Sequence, residues 1–190
     1  MTRAGTDEET LIEILCTLTN DEIQMVKQMY YSNYRKHLED DIRKETTGNF
    51  QKLLLALCSV NRSEDPKVNV KKAIQQAKQL IEAGEMRMET EERAFISVFC
   101  SQSYNQLTEI FSQYQSMTGQ KIEDTIKNEF IGVIKKSLRT IAKAVRSKPA
   151  FFAECLYKSM SGLGTNSRQM VRVMVTRSEI DLGDIEDLFF

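Results

Sequence analysis

The sequence is poor in histidine, proline and glycine and has no long apolar run, and each scarcity removes a class of answer. A single histidine among 190 residues, His37, leaves no partner for a histidine-based triad, an HExxH zinc helix or a multi-histidine metal site. Standing alone ahead of an amphipathic stretch, it belongs on the surface. Two prolines and eight glycines, with few β-branched runs, leave little to interrupt helices, and no strand pattern emerges. No apolar run approaches the roughly 20 residues that a membrane span needs, and the first residues lack the apolar core of a signal peptide. Charge of one sign is also missing. With 26 basic and 27 acidic side chains, no overall basic field draws the chain to nucleic acid or to a membrane. Attraction to phosphate therefore has to be local, or carried by a bound cation. A GxxxxGK[ST] loop is absent, and Gly162-Leu163-Gly164 lacks the lysine that a nucleotide would need. With no nucleophile and base in view, a helical hydrolase is disfavoured and no enzymatic reaction is expected.

What is present is a helical grammar that repeats, in a chain whose 41% apolar content suffices for a core. Thr6 with Glu9, and Thr19 with Glu22, have capping-box spacing, each ahead of an apolar stripe. The first stripe is Leu11, Ile12, Leu15 and Leu18; the second is Ile23, Val26, Tyr30 and Tyr34. Gly48 introduces Phe50, Leu53, Leu54 and Leu57, and polar residues around Pro66 then mark a linker over 59–69. The pattern resumes through Leu80, Phe95, Phe99, Leu107 and Tyr114. Thr6, Thr90 and Thr165 occupy like places, 84 and 75 residues apart. A period of this length, about five short helices per unit, is too long for tetratricopeptide or armadillo arrays. Cys16, Cys58, Cys100 and Cys155 each sit in an apolar stretch and read as buried, reduced thiols. Met25, Met29, Met86, Met170 and Met174, at helical spacing, read as core filler rather than as an adaptable groove.

Five segments carry a family resemblance: Ala4-Gly5-Thr6-Asp7-Glu8; Leu38-Glu39-Asp40-Asp41-Ile42 with Glu45-Thr46-Thr47-Gly48; Lys148-Pro149-Ala150-Phe151-Phe152-Ala153-Glu154; Met160-Ser161-Gly162-Leu163-Gly164-Thr165; and the run from Arg172 to Leu182. The chain resembles the annexins along essentially its whole length. That resemblance implies an all-α fold of helical repeats in a right-handed superhelix, with calcium loops on one convex face. It maps residues 1–58 to a second repeat without its first helix, 70–145 to a third repeat, and 148–190 to a truncated fourth. The first repeat and the end of the fourth are then expected to lie outside this sequence.

The resemblance also implies a calcium cofactor and a mechanism. An annexin-type site takes main-chain carbonyls from a glycine-bearing loop and one bidentate carboxylate from a second loop, while lipid phosphate completes the shell. Carried over residue by residue, the ligands are the carbonyls of Met1, Arg3 and Gly5 with Glu45, and those of Gly84, Arg87 and Glu89 with Glu129. In the fourth repeat they are the carbonyls of Met160, Gly162 and Gly164, with the acid falling beyond Phe190. The internal register agrees, for Glu45 follows Gly5 by 40 residues and Glu129 follows Glu89 by 40. Taken singly, either glutamate also reads as a solvated helix-end acid. Arg3 and Glu89 stand where the family has glycine. Met88, at the tip of the third-repeat loop, is a candidate lipid contact. The partner implied is an acidic phospholipid surface, met peripherally from the cytoplasm, with a calcium-independent interaction scaffold as the alternative. By the same resemblance Glu13, Arg172 and Arg177 pair in a polar channel; Asp181 reads as the cap of the last helix, which Arg177 helps to hold. If the fourth repeat is truncated, the apolar faces of Phe151, Leu156, Met170, Val173 and Phe189 are left uncovered. Self-association or a protein partner through 148–190 would then follow, and that segment should exchange its amide protons before 71–145.

Overall fold

The computed structural model describes residues 7–86, 89–161 and 164–189, with backbone alone at 85, 86 and 89–91. Among the described residues there are twelve helices and no strand: α1 Glu8–Leu15, α2 Asn20–Tyr34, α3 Leu38–Glu45, α4 Gly48–Cys58, α5 Val70–Met86, α6 Glu89–Ser101, α7 Tyr104–Thr118, α8 Ile122–Glu129, α9 Gly132–Arg146, α10 Lys148–Met160, α11 Ser167–Arg177 and α12 Leu182–Asp187. Two compact units are distinguished, Met1–Ala142 and Lys143–Phe190.

Within the larger unit a shift of 84 residues carries one set of helices onto another. It takes α2 to α7 (104 minus 20, and 118 minus 34) and α3 to α8 (122 minus 38, and 129 minus 45) without a gap. The local physics repeats with the register. Thr19 accepts from the Glu22 N–H in a complete capping box, and Ser103 accepts from the Gln106 N–H in the same place. Both α2 and α7 end on a left-handed residue, Arg35 at φ 53° and Gly119 at φ 71°. Glycine adopts that geometry without strain, whereas a residue with a Cβ gives up roughly 1 kcal/mol. The tyrosine one turn earlier reaches the following helix in both copies: Tyr30 Oη donates to Asp41 at 2.7 Å, and Tyr114 Oη shares a 2.9 Å bond with the Thr125 hydroxyl.

Burial does not repeat with the register. α7 packs along α5 and buries Leu107, Ile110, Phe111 and Tyr114, whereas α2 buries only Ile23. Where α7 has Phe111, α2 has Lys27, whose ammonium meets Glu39 at 2.5 Å and the Cys58 carbonyl at 2.9 Å. Met25 and Met29 are 56% and 65% exposed, so the expectation that they fill a core is corrected; Met174 is exposed too. The first helix differs in its cap. α1 begins at Glu8, and Asp7 accepts from the Thr10 N–H, one residue beyond the anticipated Thr6–Glu9 box. The core of this unit is assembled from Leu15, Leu53, Leu54, Leu80, Phe95, Phe99, Phe111, Leu138 and their neighbours, with Phe95, Phe99 and Phe111 in a chain of ring contacts.

In the smaller unit Phe151, Leu156, Val173 and Ile185 are buried together, with Met170 and Phe189 packed against them. The expectation that Phe151, Leu156 and Val173 lie uncovered is thus corrected, because α10, α11 and α12 close on one another. Exposure falls instead on other residues of α10 and α11, at Tyr157, Met160, Val171, Met174 and Val175. Several of these line a mostly apolar groove of about 580 Å³ between the three helices. His37 is exposed and stacks on Tyr31, and all four cysteines are free and buried.

Candidate functional site

The two glutamates singled out by the sequence stand at the same place in the fold. α3 has Glu39, Asp40 and Asp41 in its first turn and Arg43 and Lys44 in its last, the distribution that complements a helix dipole. It ends at Glu45 because Thr46 and Thr47 take extended backbone (φ −130°, ψ 160° and φ −140°, ψ 171°), after which Gly48 at φ 63° opens α4. α8 likewise ends at Glu129, Phe130 is extended (φ −103°, ψ 155°), and Gly132 at φ 60° opens α9. A Cβ at either glycine would meet nothing within 4 Å, so the positive φ and not a close approach is what calls for glycine there. Both carboxylates belong to exposed residues at the corner between two helices.

Each corner is held from below, by different means. Beneath Glu45, the buried Thr46 hydroxyl donates to the Ile42 carbonyl at 2.6 Å, and the Gln51 amide donates both to the Arg43 carbonyl at 3.0 Å and to the Thr46 carbonyl. The carbonyls before and after Glu45 are thereby pinned. Beneath Glu129 the pin is apolar: Phe130 is buried with its ring edge-on to Phe95, centroids 4.8 Å apart. Sequence reading missed Thr46, Gln51 and Phe130 as supports. The signal available for Thr46 and Phe130 was their adjacency to the repeated acid, a register at which one copy has threonine and the other phenylalanine.

The carbonyl side of each site is described only in part. Met1, Arg3, Gly5, Arg87, Met88 and Gly162 lie outside the described residues. Gly84 and Glu89, expected in a loop, belong to helices: Gly84 lies two residues before the end of α5, and Glu89 is the first residue of α6. Carbonyls in the last turn of a helix have no intrahelical partner, so the Gly84 oxygen is of the kind that can serve another ligand. In the smaller unit Met160 ends α10 and Gly164 adopts φ 97°, a conformation open to glycine. That connection is drawn tight by the Asn166 N–H, which donates to the Ser159 carbonyl at 2.7 Å, while the Asn166 side chain caps α11 by accepting from the Gln169 N–H.

The donor chemistry fits a hard cation. Among the described residues no three of histidine, cysteine, aspartate and glutamate converge. A site built from main-chain carbonyls and a single carboxylate needs no such cluster, and its oxygens alone are what calcium takes. The thiols, which would favour softer metals, are withdrawn from solvent; burial pushes Cys58 up to about 11 and Cys100 up to about 12.

Within the smaller unit Arg177 makes a close ion pair. Its buried guanidinium grips Asp181 through two bonds of 2.8 Å and lies 4.8 Å over the Phe152 ring. Asp181 stands at the N-cap position of α12, yet its carboxylate makes no cap bond to the helix, which corrects the expected cap, and goes instead to Arg177, in keeping with the holding role expected of that arginine. Glu13 is buried in α1, in the larger unit.

A family model described as Annexin matches residues 1–57, 75–141 and 151–190. The chain is 44% identical over 186 residues to annexin A5 of Gallus gallus, covering 98% of this chain and 58% of that protein. A solved annexin III matches with a TM-score of 0.95 and 43% identity over 100% of this chain and 59% of its own. Calcium-bound annexin (Sm)1 matches with a TM-score of 0.86 and 31% identity, covering 100% of this chain and 58% of its own. Relative to curated proteins it resembles, the chain spans between 36% and 60% of their length. Matched by the family model over most of its residues and by solved annexins over nearly all of them, the chain belongs to the annexin family.

Proposed function

We propose that this chain attaches to acidic phospholipid surfaces through calcium held at its helix-end glutamates. The annexins as a family bind phospholipid in a calcium-dependent way and are not in general enzymes. The observation that carries the reading to this chain is the repeated corner: an exposed glutamate closing an eight-residue helix, followed three residues on by a positive-φ glycine, in both copies. Glu45 would complete a site with the carbonyls of Met1, Arg3 and Gly5, and Glu129 one with those of Gly84, Arg87 and Glu89. The carbonyls of Met160, Gly162 and Gly164 would form the loop half of a third. When bound, calcium supplies a positive charge that lipid phosphate can share, which a chain of net charge −1 does not itself provide. The chain's own part is to fix a carboxylate at a rigid corner and to repeat that corner, so that weak attachments add as multivalency. Contact is peripheral in this reading and made from the cytoplasmic side; no helix among the described residues is long and apolar enough to cross a membrane.

The test is retention on phosphatidylserine-rich liposomes in millimolar calcium, followed by chelation. Retention in calcium and release by chelator are expected. Retention that ignores the chelator would replace this mechanism with a calcium-independent scaffold, and no retention at all would remove the membrane from the account.

A further inference from the structure

We infer that Ile131 is an apolar membrane anchor, a side chain that enters the headgroup and upper acyl region of an anionic bilayer when the Glu129 corner meets it. The inference rests on the calcium-bridged reading of that corner and adds to it a residue that holds no metal. Ile131 is 79% exposed, the highest value given for any large apolar side chain among the described residues. It is also fixed in place. Phe130 before it is buried against Phe95, and Gly132 after it turns the chain into α9 at φ 60°. Side chains alternate across extended backbone, so a Phe130 that points into the core sends Ile131 the other way. The result is an isoleucine held clear of the protein two residues beyond an exposed carboxylate.

The other copy shows that the backbone does not ask for it. Thr47 occupies the equivalent place (131 minus 84), is exposed, and precedes a glycine of nearly the same φ. A hydroxyl therefore serves the corner perfectly well as structure. A single exposed apolar side chain is ordinary on a protein surface. What distinguishes this one is its place beside the proposed lipid contact and its neighbour Lys127, exposed in the last turn of α8, whose charge suits an anionic surface. An apolar side chain beside a cation is the arrangement that settles at the boundary between headgroups and acyl chains.

The experiment uses the whole 190-residue chain and phosphatidylserine–phosphatidylcholine vesicles in millimolar calcium. Ile131→Thr gives the Glu129 corner the chemistry of Thr47. It should weaken vesicle binding roughly five- to tenfold, as expected for losing shallow burial of one isoleucine, with helicity and melting unchanged. In a second arm Ile131→Cys carries an environment-sensitive fluorophore, for which the four native thiols, all buried, compete little. Its emission should shift to the blue on vesicle binding, become open to a lipid-borne quencher, and revert on chelation. If the wild-type chain binds and is released by chelator, yet Ile131→Thr binds as tightly and the probe stays in water, the anchor is refuted while the calcium-bridged reading stands. If the wild-type chain fails to bind vesicles in calcium, both fall together.

Discussion

The corner that ends in Glu45 and the corner that ends in Glu129 have nearly the same backbone and quite different means of support. One is tied by a buried threonine hydroxyl and a glutamine amide, the other by a phenylalanine driven into the core. Outside, one presents Thr47 and the other Ile131. The difference teaches that the eight-residue helix, its terminal acid and the glycine three residues on constitute the repeated device. The residues between acid and glycine are free to change provided one of them anchors inward. It also separates two roles that a single copy would leave merged, for the inward residue sets stability and the outward one sets what the corner meets.

The comparison breaks most readily at Phe130. Phe130→Ala should cost about 3–5 kcal/mol of unfolding free energy, as for other buried aromatics, because it empties the space against Phe95. Denaturant titration measures this, and a loss below about 1 kcal/mol would mean that the ring does not hold the corner. The matching change in the other copy, Thr46→Val, keeps the volume and removes one hydrogen bond, so about 1 kcal/mol is expected; Gln51→Ala should act on the same scale. Equal losses at 46 and 130 would contradict the distinction between polar and apolar support. Smaller still should be Glu129→Gln. In the absence of calcium it should alter stability by no more than about 0.5 kcal/mol, since the side chain is exposed at a helix end, while calcium affinity at that corner falls. Calorimetry in calcium and in chelator separates the two effects, and a large loss without calcium would make Glu129 a structural acid.

The smallest effect sharpens the comparison through pH. The hydrogen bond from Tyr30 holds the Asp41 carboxyl below its ordinary range, and the same bond pushes Tyr30 up to about 12. A depressed carboxylate contributes stability that is present above its unfolded pKa and is lost as pH falls through the folded value. A raised tyrosine contributes stability that is present below its unfolded pKa and is lost as pH climbs from about 10 to about 12. The equivalent Tyr114–Thr125 bond has no carboxylate to protonate. Acidification below the ordinary aspartate range should therefore loosen the junction of α2 and α3 and leave that of α7 and α8 untouched. Site-resolved hydrogen exchange reads the difference, and equal loosening at both junctions would show that the Asp41 charge is not what matters.

Much of this was legible in the chain alone. Periodicity gave helices throughout, Thr19 and Glu22 announced their capping box, and the annexin resemblance, with the 40-residue offset from loop to acid in agreement, singled out Glu45 and Glu129. These are local matters: a cap, a stripe and a helix end are settled by residues within a few positions of one another, and register copies them. Tertiary structure decided the rest. Ile23, Val26, Tyr30 and Tyr34 share a stripe in sequence, but only Ile23 is buried, because a helix pattern says which residues face one way and not whether another helix covers them. Asp181 has the look of a cap and is taken by Arg177, a competition between two donors that spacing does not rank. Thr47 and Ile131 are interchangeable in the backbone register, and it took the burial of Phe130 to turn Ile131 outward. A sequence fixes such preferences along one dimension; which of them is satisfied depends on what the other helices bring within reach.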